Sequence, residues 1–198
     1  MRRIGLIAVL AGALVFGIPQ QANTPTMSEV DQLLLALSDI TWFHNIRPLN
    51  LTKPQIERLL TAHERAYKQL ERLIQEEAKE LRNRKDEILR VREETSRGKS
   101  LPKEFLETIR RLETDAAQKR RQLRAQVVSE IATELKPNFT DEQFTYMVKR
   151  SKEVLESVRA DTTQLKDDQL YALFVENVFL DPRAPELLKE WRSKNLAQ

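Results

Sequence analysis

Arg97-Gly98-Lys99-Ser100-Leu101-Pro102 separates two long charged stretches that hold no other glycine or proline between Gln55 and Lys136. Gly98 suits the left-handed position just past a helix end, Ser100 suits an N-cap, and Pro102 suits the first turn of a new helix. The six residues read as a tight connection between antiparallel helices. They predict a hairpin whose arms run over roughly 53–97 and 101–136.

Working outward, the first arm carries Leu60, Tyr67, Ile74, Leu81 and Ile88 at intervals of seven, with Ile56, His63 and Leu70 as a second row and Leu59 and Leu73 beside it. That is a heptad-like seam. The second arm carries Phe105, Ile109, Leu112, Ala116, Leu123, Val127, Ile131 and Leu135 in the same kind of stripe. Folding about 98–99 pairs residues whose numbers sum to about 198. Tyr67 then faces Ile131, Leu70 faces Val128, Ile74 faces Leu123, Leu81 faces Ala117 and Ile88 faces Ile109. The same register sets Glu77 near Arg121, Glu80 near Lys119 and Arg84 near Glu113. Exposed ion pairs add little stability, so they speak for register.

The two ends of the hairpin region carry one motif twice. Leu51-Thr52-Lys53-Pro54-Gln55-Ile56 opens the first arm, and Phe139-Thr140-Asp141-Glu142-Gln143-Phe144 opens the next helix, 88 residues later. Each has the form apolar-Thr-x-x-Gln-apolar. Thr caps the helix, Gln at the third helical position reaches back to the cap, and the outer apolar pair forms a hydrophobic staple. On these residues the chain resembles the Spy/CpxP family of bacterial periplasmic proteins with paired LTxxQ motifs, over roughly 46–160. Phe139 stands where the family's motif has Leu. The resemblance implies a helical hairpin, a homodimer, an address outside the cytoplasm and a binding role. The roles it implies are ATP-independent chaperone, stress-response regulator and metal-linked accessory protein.

The flanks predict shorter helices over roughly 28–45, 141–160, 166–180 and 183–195. The fold class expected is all-α: a long antiparallel helical hairpin with short flanking helices packed at its base. The domain plan is 1–22 as export leader, 23–160 as the hairpin domain, and 161–198 as additional C-terminal helices. A 45-residue helix is about 68 Å long, whereas a globule of this chain length has a radius of gyration of about 16 Å. The flanks therefore cannot wrap the arms. Aromatic residues bear this out in their placing. Only Tyr67 and Phe105 lie in 53–136, while Trp42, Phe43, Phe139, Phe144, Tyr146, Tyr171, Phe174, Phe179 and Trp191 lie in the flanks. They are expected to form a core around the hairpin base.

Met1-Arg2-Arg3 followed by the uncharged run Ile4–Ile18 and Pro19 has the form of a secretory signal, too short for a membrane span of ~20 residues. An uncleaved anchor is the alternative. Without Arg2 and Arg3 the chain has 31 basic and 30 acidic residues, so its pI is no nucleic-acid signature. Residues 53–136 carry 21 basic and 16 acidic side chains, while 23–52 and 137–198 together carry 10 and 14. The hairpin is thus a basic element between acidic flanks.

No cysteine occurs, which excludes a disulfide, a thiolate metal site and a lipoprotein anchor. His44 and His63 are the only histidines, and neither has metal-ligand spacing. His63 falls in the apolar row and reads as a packed side chain. No glycine-rich phosphate loop occurs, and the carboxylates alternate with Lys and Arg as on solvated helix faces. No enzyme, cofactor or nucleic-acid partner is expected. Three binding classes stand. One is a chaperone-like protein for unfolded or partly folded envelope proteins, with Arg120, Arg121 and Arg124 as candidate client contacts. The others are a regulator that binds one periplasmic sensor domain, and a structural coiled-coil spacer.

Overall fold

The computed structural model of the protein describes residues 28–195, and the expected export leader lies outside them. The described residues form seven α-helices and no strand. They are α1 (Glu29–Ile46), α2 (Lys53–Asn83), α3 (Lys85–Ser96), α4 (Lys103–Leu135), α5 (Asp141–Ser157), α6 (Asp167–Phe174) and α7 (Ala184–Asn195). Short 3₁₀ turns at Arg47–Leu49 and Lys136–Asn138 precede the two motif-bearing helices. The chain is all-α.

The turn at Gly98 behaves as its sequence dictates. Gly98 has φ +83°, and the amides of Gly98 and Lys99 donate to Thr95 O (3.0 Å) and Glu94 O (3.1 Å). This is the Schellman closure, in which a left-handed residue lets two stray carbonyls be satisfied. Ser100, however, is not the cap of the following helix. Pro102 takes that position with extended dihedrals and no side-chain bond.

The first arm is not one helix. Arg84, at φ −106° and ψ 10°, interrupts it between α2 and α3. Asn83 is a poor helix former, and Arg82, Arg84 and Lys85 crowd three cations into one turn, where Arg84 and Lys85 have no acid four residues on. Arg84 pairs with Glu87 of its own helix at 3.3 Å, not with Glu113. The expected pairing of Glu77 also shifts by one residue, from Arg121 to Arg120, whose Nε lies 3.0 and 3.1 Å from the two carboxylate oxygens. Arg65 pairs with Glu134. These two cross-arm pairs have residue numbers summing to 197 and 199, which agrees with the register expected from the turn.

The centre of the packed seam also differs from the expected row. Ile56, Leu59, His63, Ala66 and Leu73 are buried, in a three-four alternation, while Leu60, Tyr67 and Ile74 flank them half-buried. Leu81 is exposed. The interior row meets α4 through Val127, Ile131, Ala132 and Leu135.

One core joins the proximal ends of α2 and α4 to every flanking helix. α5 and α6 pack together, α6 packs on α4, and α7 packs on α2. Trp42, Met147, Tyr171, Phe174, Phe179 and Leu188 fill the centre, with Phe43, Phe139, Phe144, Tyr146 and Trp191 around them. Full burial of each large apolar side chain contributes ~1.5–3 kcal/mol. Of the expected helix 166–180 only Asp167–Phe174 is α-helical. Val175–Phe179 widens into a π turn with Val175, Val178 and Phe179 buried. Trp42 donates its indole N–H to Val178 O at 2.8 Å, fastening α1 to that turn.

Candidate functional site

The two motifs meet. Thr52 and Thr140, 88 residues apart in sequence, begin neighbouring helices at the base of the hairpin, and their glutamines form a reciprocal amide clasp. Gln55 Oε1 accepts the Thr52 amide (2.9 Å), and Gln143 Oε1 accepts the Thr140 amide (3.0 Å). Each carboxamide nitrogen then crosses over. Gln55 Nε2 donates to Asn138 O (2.7 Å) and Gln143 Oε1 (2.9 Å), while Gln143 Nε2 donates to Leu49 O (2.6 Å). Only a residue with both an acceptor and a two-proton donor can cap its own helix and bind a second segment at once, which is why Gln serves where Glu could not.

Asn138 extends the clasp. Its side chain donates to Glu134 O (3.0 Å) and Leu135 O (3.2 Å) at the end of α4, and its amide oxygen accepts from Arg58. Leu51 and Ile56 are buried in the core beneath the first motif. In the second motif Phe139 stacks on Phe179 (5.6 Å between centroids) and Phe144 lies 5.3 Å from Tyr171. Both aromatic partners belong to the segment beyond 160. Phe at position 139, where the resembled motif has Leu, therefore has a local reason: it gives that segment a flat face to stack on. Lys136 lies 4.7 Å above the Phe144 ring and 2.6 Å from Asp168, tying the same corner to α6.

His63 sits one layer up. It is 5 % exposed, stacks on Tyr67 at 4.3 Å, and its Nε2 lies 2.9 Å from Asp181 O. Nε2–H is thus the donor. Burial lowers its pKa below the usual histidine value, against the opposing pull of the Asp181 carbonyl and carboxylate. Burial also raises the Tyr67 phenol to about 12. His44 lies apart, exposed near the end of α1. Among the described residues no three His, Asp or Glu side chains converge as a metal site.

The far half of the hairpin contrasts with the base. Beyond Leu73 its buried side chains are Val91 and Phe105, and Leu81, Leu89 and Leu101 are 53 %, 50 % and 40 % exposed. An open apolar notch of about 470 Å³ lies at the tip, lined by Ile88, Val91, Arg92, Thr95, Ser96, Leu101 and Phe105. Of the three arginines expected to meet a client, Arg120 is held by Glu77 and Arg124 by Glu176, while Arg121 forms no salt bridge among the described residues. Arg82, Lys85, Arg92, Arg110 and Arg111 likewise form none among the described residues and lie toward the tip.

Compared with protein-family models, curated proteins and solved structures, the chain matches none. Within the described residues no helix is long and apolar enough to cross a membrane.

The contacts that sequence reasoning missed are tertiary. Asp39–Arg183, Asn45–Arg150 and Trp42–Val178 join α1 to segments more than 100 residues away. No periodicity connects such pairs. The one available signal was the Gln of each motif, whose crossing amide could have been paired in advance.

Proposed function

We propose that the protein is an exported, ATP-independent chaperone-like protein that captures unfolded or partly folded polypeptides on the distal half of its hairpin. One observation carries the reading. The base of the hairpin is closed by a complete core, whereas the distal arms and their turn leave Leu81, Leu89, Leu101 and cations without a salt bridge among the described residues open to solvent. Long basic side chains attract a client electrostatically, and their stems add apolar contact, so capture is loose and fast. The resemblance of the paired motif and the leader-like N-terminus support the address and the role.

The ion pairs move the proposed client surface toward the tip. Arg121 stays in it, joined by Arg82, Arg92, Arg110 and Arg111, while Arg120 and Arg124 chiefly hold the hairpin together. Reduced α-lactalbumin and thermally unfolding citrate synthase are suitable clients. Near-equimolar protein should delay aggregation of both without nucleotide, and salt should weaken the effect. Arg110→Glu with Arg111→Glu should reduce protection several-fold, and Lys189→Glu with Lys194→Glu in α7 should leave it unchanged. A folded protein that protects neither client at tenfold excess excludes the reading and favours a regulator with one partner, which the notch at the tip also fits. Export is tested separately by N-terminal mass spectrometry, with a first residue between 18 and 25 expected.

A further inference from the structure

α1 is apolar on two opposite sides, and the described chain covers only one. Asp39, Trp42 and Ile46 form the inner side. Asp39 pairs with Arg183, Trp42 bonds Val178 O, and Ile46 lies wholly in the core. At 3.6 residues per turn, Val30, Leu33, Leu37 and Ile40 fall roughly 180° around the helix from that side. All four are 59–64 % exposed, as is Leu34 beside them. Their spacing of three, four and three is that of a coiled-coil seam, and an apolar stripe of this kind needs cover.

We infer that this outer seam of α1 pairs with the same seam of a second copy, antiparallel, so that the expected homodimer forms through α1 and not along the arms of the hairpin. Charge favours the antiparallel sense. No Lys or Arg occurs from Ser28 to Ile46, and the first turn of α1 is acidic through Glu29 and Asp31. An exposed cation, Arg47, stands just past the other end. Antiparallel pairing brings the acidic start of each helix toward the Arg47 end of its partner and opposes the two helix dipoles. Parallel pairing stacks like charges. A two-fold axis between Leu33 and Leu37 makes the layers Val30 on Ile40 and Leu33 on Leu37, each repeated by symmetry.

Five side chains of this exposure offer on the order of 500 Å² per copy, so about 1,000 Å² in total, the size of a weak, reversible interface. An anionic lipid surface fits less well, because helices that lie on membranes carry Lys and Arg on their polar face, and α1 has none. The inference does not depend on client capture at the hairpin tip, since α1 docks at the opposite end, on the core at the hairpin base.

Sedimentation equilibrium of the full protein should give a dimer. Leu33→Glu with Leu37→Glu should raise the dissociation constant at least 100-fold while the helical circular dichroism stays unchanged, because neither residue is part of the core, and the melting temperature should lose its dependence on protein concentration. The absence of native cysteine permits a direct reading of direction. Mixed Leu33→Cys and Leu37→Cys proteins should form the heterologous disulfide faster than either homologous one. A monomer at 100 μM, a dimer that survives the Glu pair, or homologous cross-links only would overturn the inference. So would a monomer that cosediments with phosphatidylglycerol vesicles through Leu33 and Leu37.

Discussion

At the scale of single residues, the most consequential group is the amide clasp. Gln55 and Gln143 each close a helix N-terminus and satisfy a backbone carbonyl of the turn that precedes the other motif. Cap loss costs about 1 kcal/mol, and a partly buried carbonyl left without its donor costs roughly 1–3 kcal/mol more. Gln55→Ala and Gln143→Ala are each expected to destabilise by roughly 2–4 kcal/mol in urea titrations. The double variant should fall short of the sum by at least ~0.5 kcal/mol, because the two share a bond. Strict additivity would show that each glutamine acts alone. His63 supplies a pH dependence of definite sign. Its folded pKa lies below the ordinary 6.5, so between those values the unfolded chain binds more protons. Stability is complete above about pH 6.5 and declines as pH falls through that value toward the folded pKa. His63→Gln keeps a donor for Asp181 O without titrating, and its urea midpoint should be flatter than wild type between pH 7 and 5.5.

At the scale of elements, two helices end in the same closure with different residues. α3 ends through Gly98, and α5 ends through Arg159, at φ +59°. The Arg159 and Ala160 amides bond Glu156 O (2.9 Å) and Leu155 O (2.9 Å), the same pair of bonds as at Gly98. An L residue other than Asn or Gly is strained there by roughly 1 kcal/mol. Arg159→Gly should therefore raise stability by about 0.5–1 kcal/mol. Gly98→Ala should lower it by about 1 kcal/mol without a steric term, since a Cβ at Gly98 has no atom within 4 Å. Thermal melts of both variants check the pair, and equal signs would refute the argument. The break at Arg84 belongs to this scale as well. It arises from local charge crowding and a poor helix former, and no partner segment is needed to explain it.

At the scale of the molecule, stability is unevenly distributed. The base holds the whole aromatic cluster and the clasp, while the distal arms hold few buried side chains and rely on exposed pairs such as Arg90–Glu94 and Arg97–Glu93. Such pairs contribute only a few tenths of a kcal/mol each. Native-state hydrogen exchange should thus find amides of α3 and Lys103–Leu112 opening well below the global unfolding free energy. Amides of Leu59–Ala66 and Val127–Leu135 should exchange only through global unfolding. Uniform protection along both arms would contradict the division between a rigid base and a yielding tip, and would weaken the case for capture there.

Period, caps and turn chemistry are local, and they determined the hairpin, its register to within a residue, the helix starts at Thr52 and Thr140, and the gathering of aromatics at one end. Each follows from groups within one or two helical turns of each other, or from folding two periodic arms about a glycine. The depth of each residue in the seam was not local. Leu60 and Leu81 look equivalent in a heptad, yet one lies beside a core built by α6 and α7 and the other beside none. The crossing of Gln55 to Asn138 and of Gln143 to Leu49, the stacking of Phe139 on Phe179, and the fastening of Trp42 to a widened turn were likewise decided by which segments meet. The same holds for α1. Its sequence is apolar on two opposite sides, and only the docking of Trp42 and Ile46 decided which of them joins the core and which stays exposed.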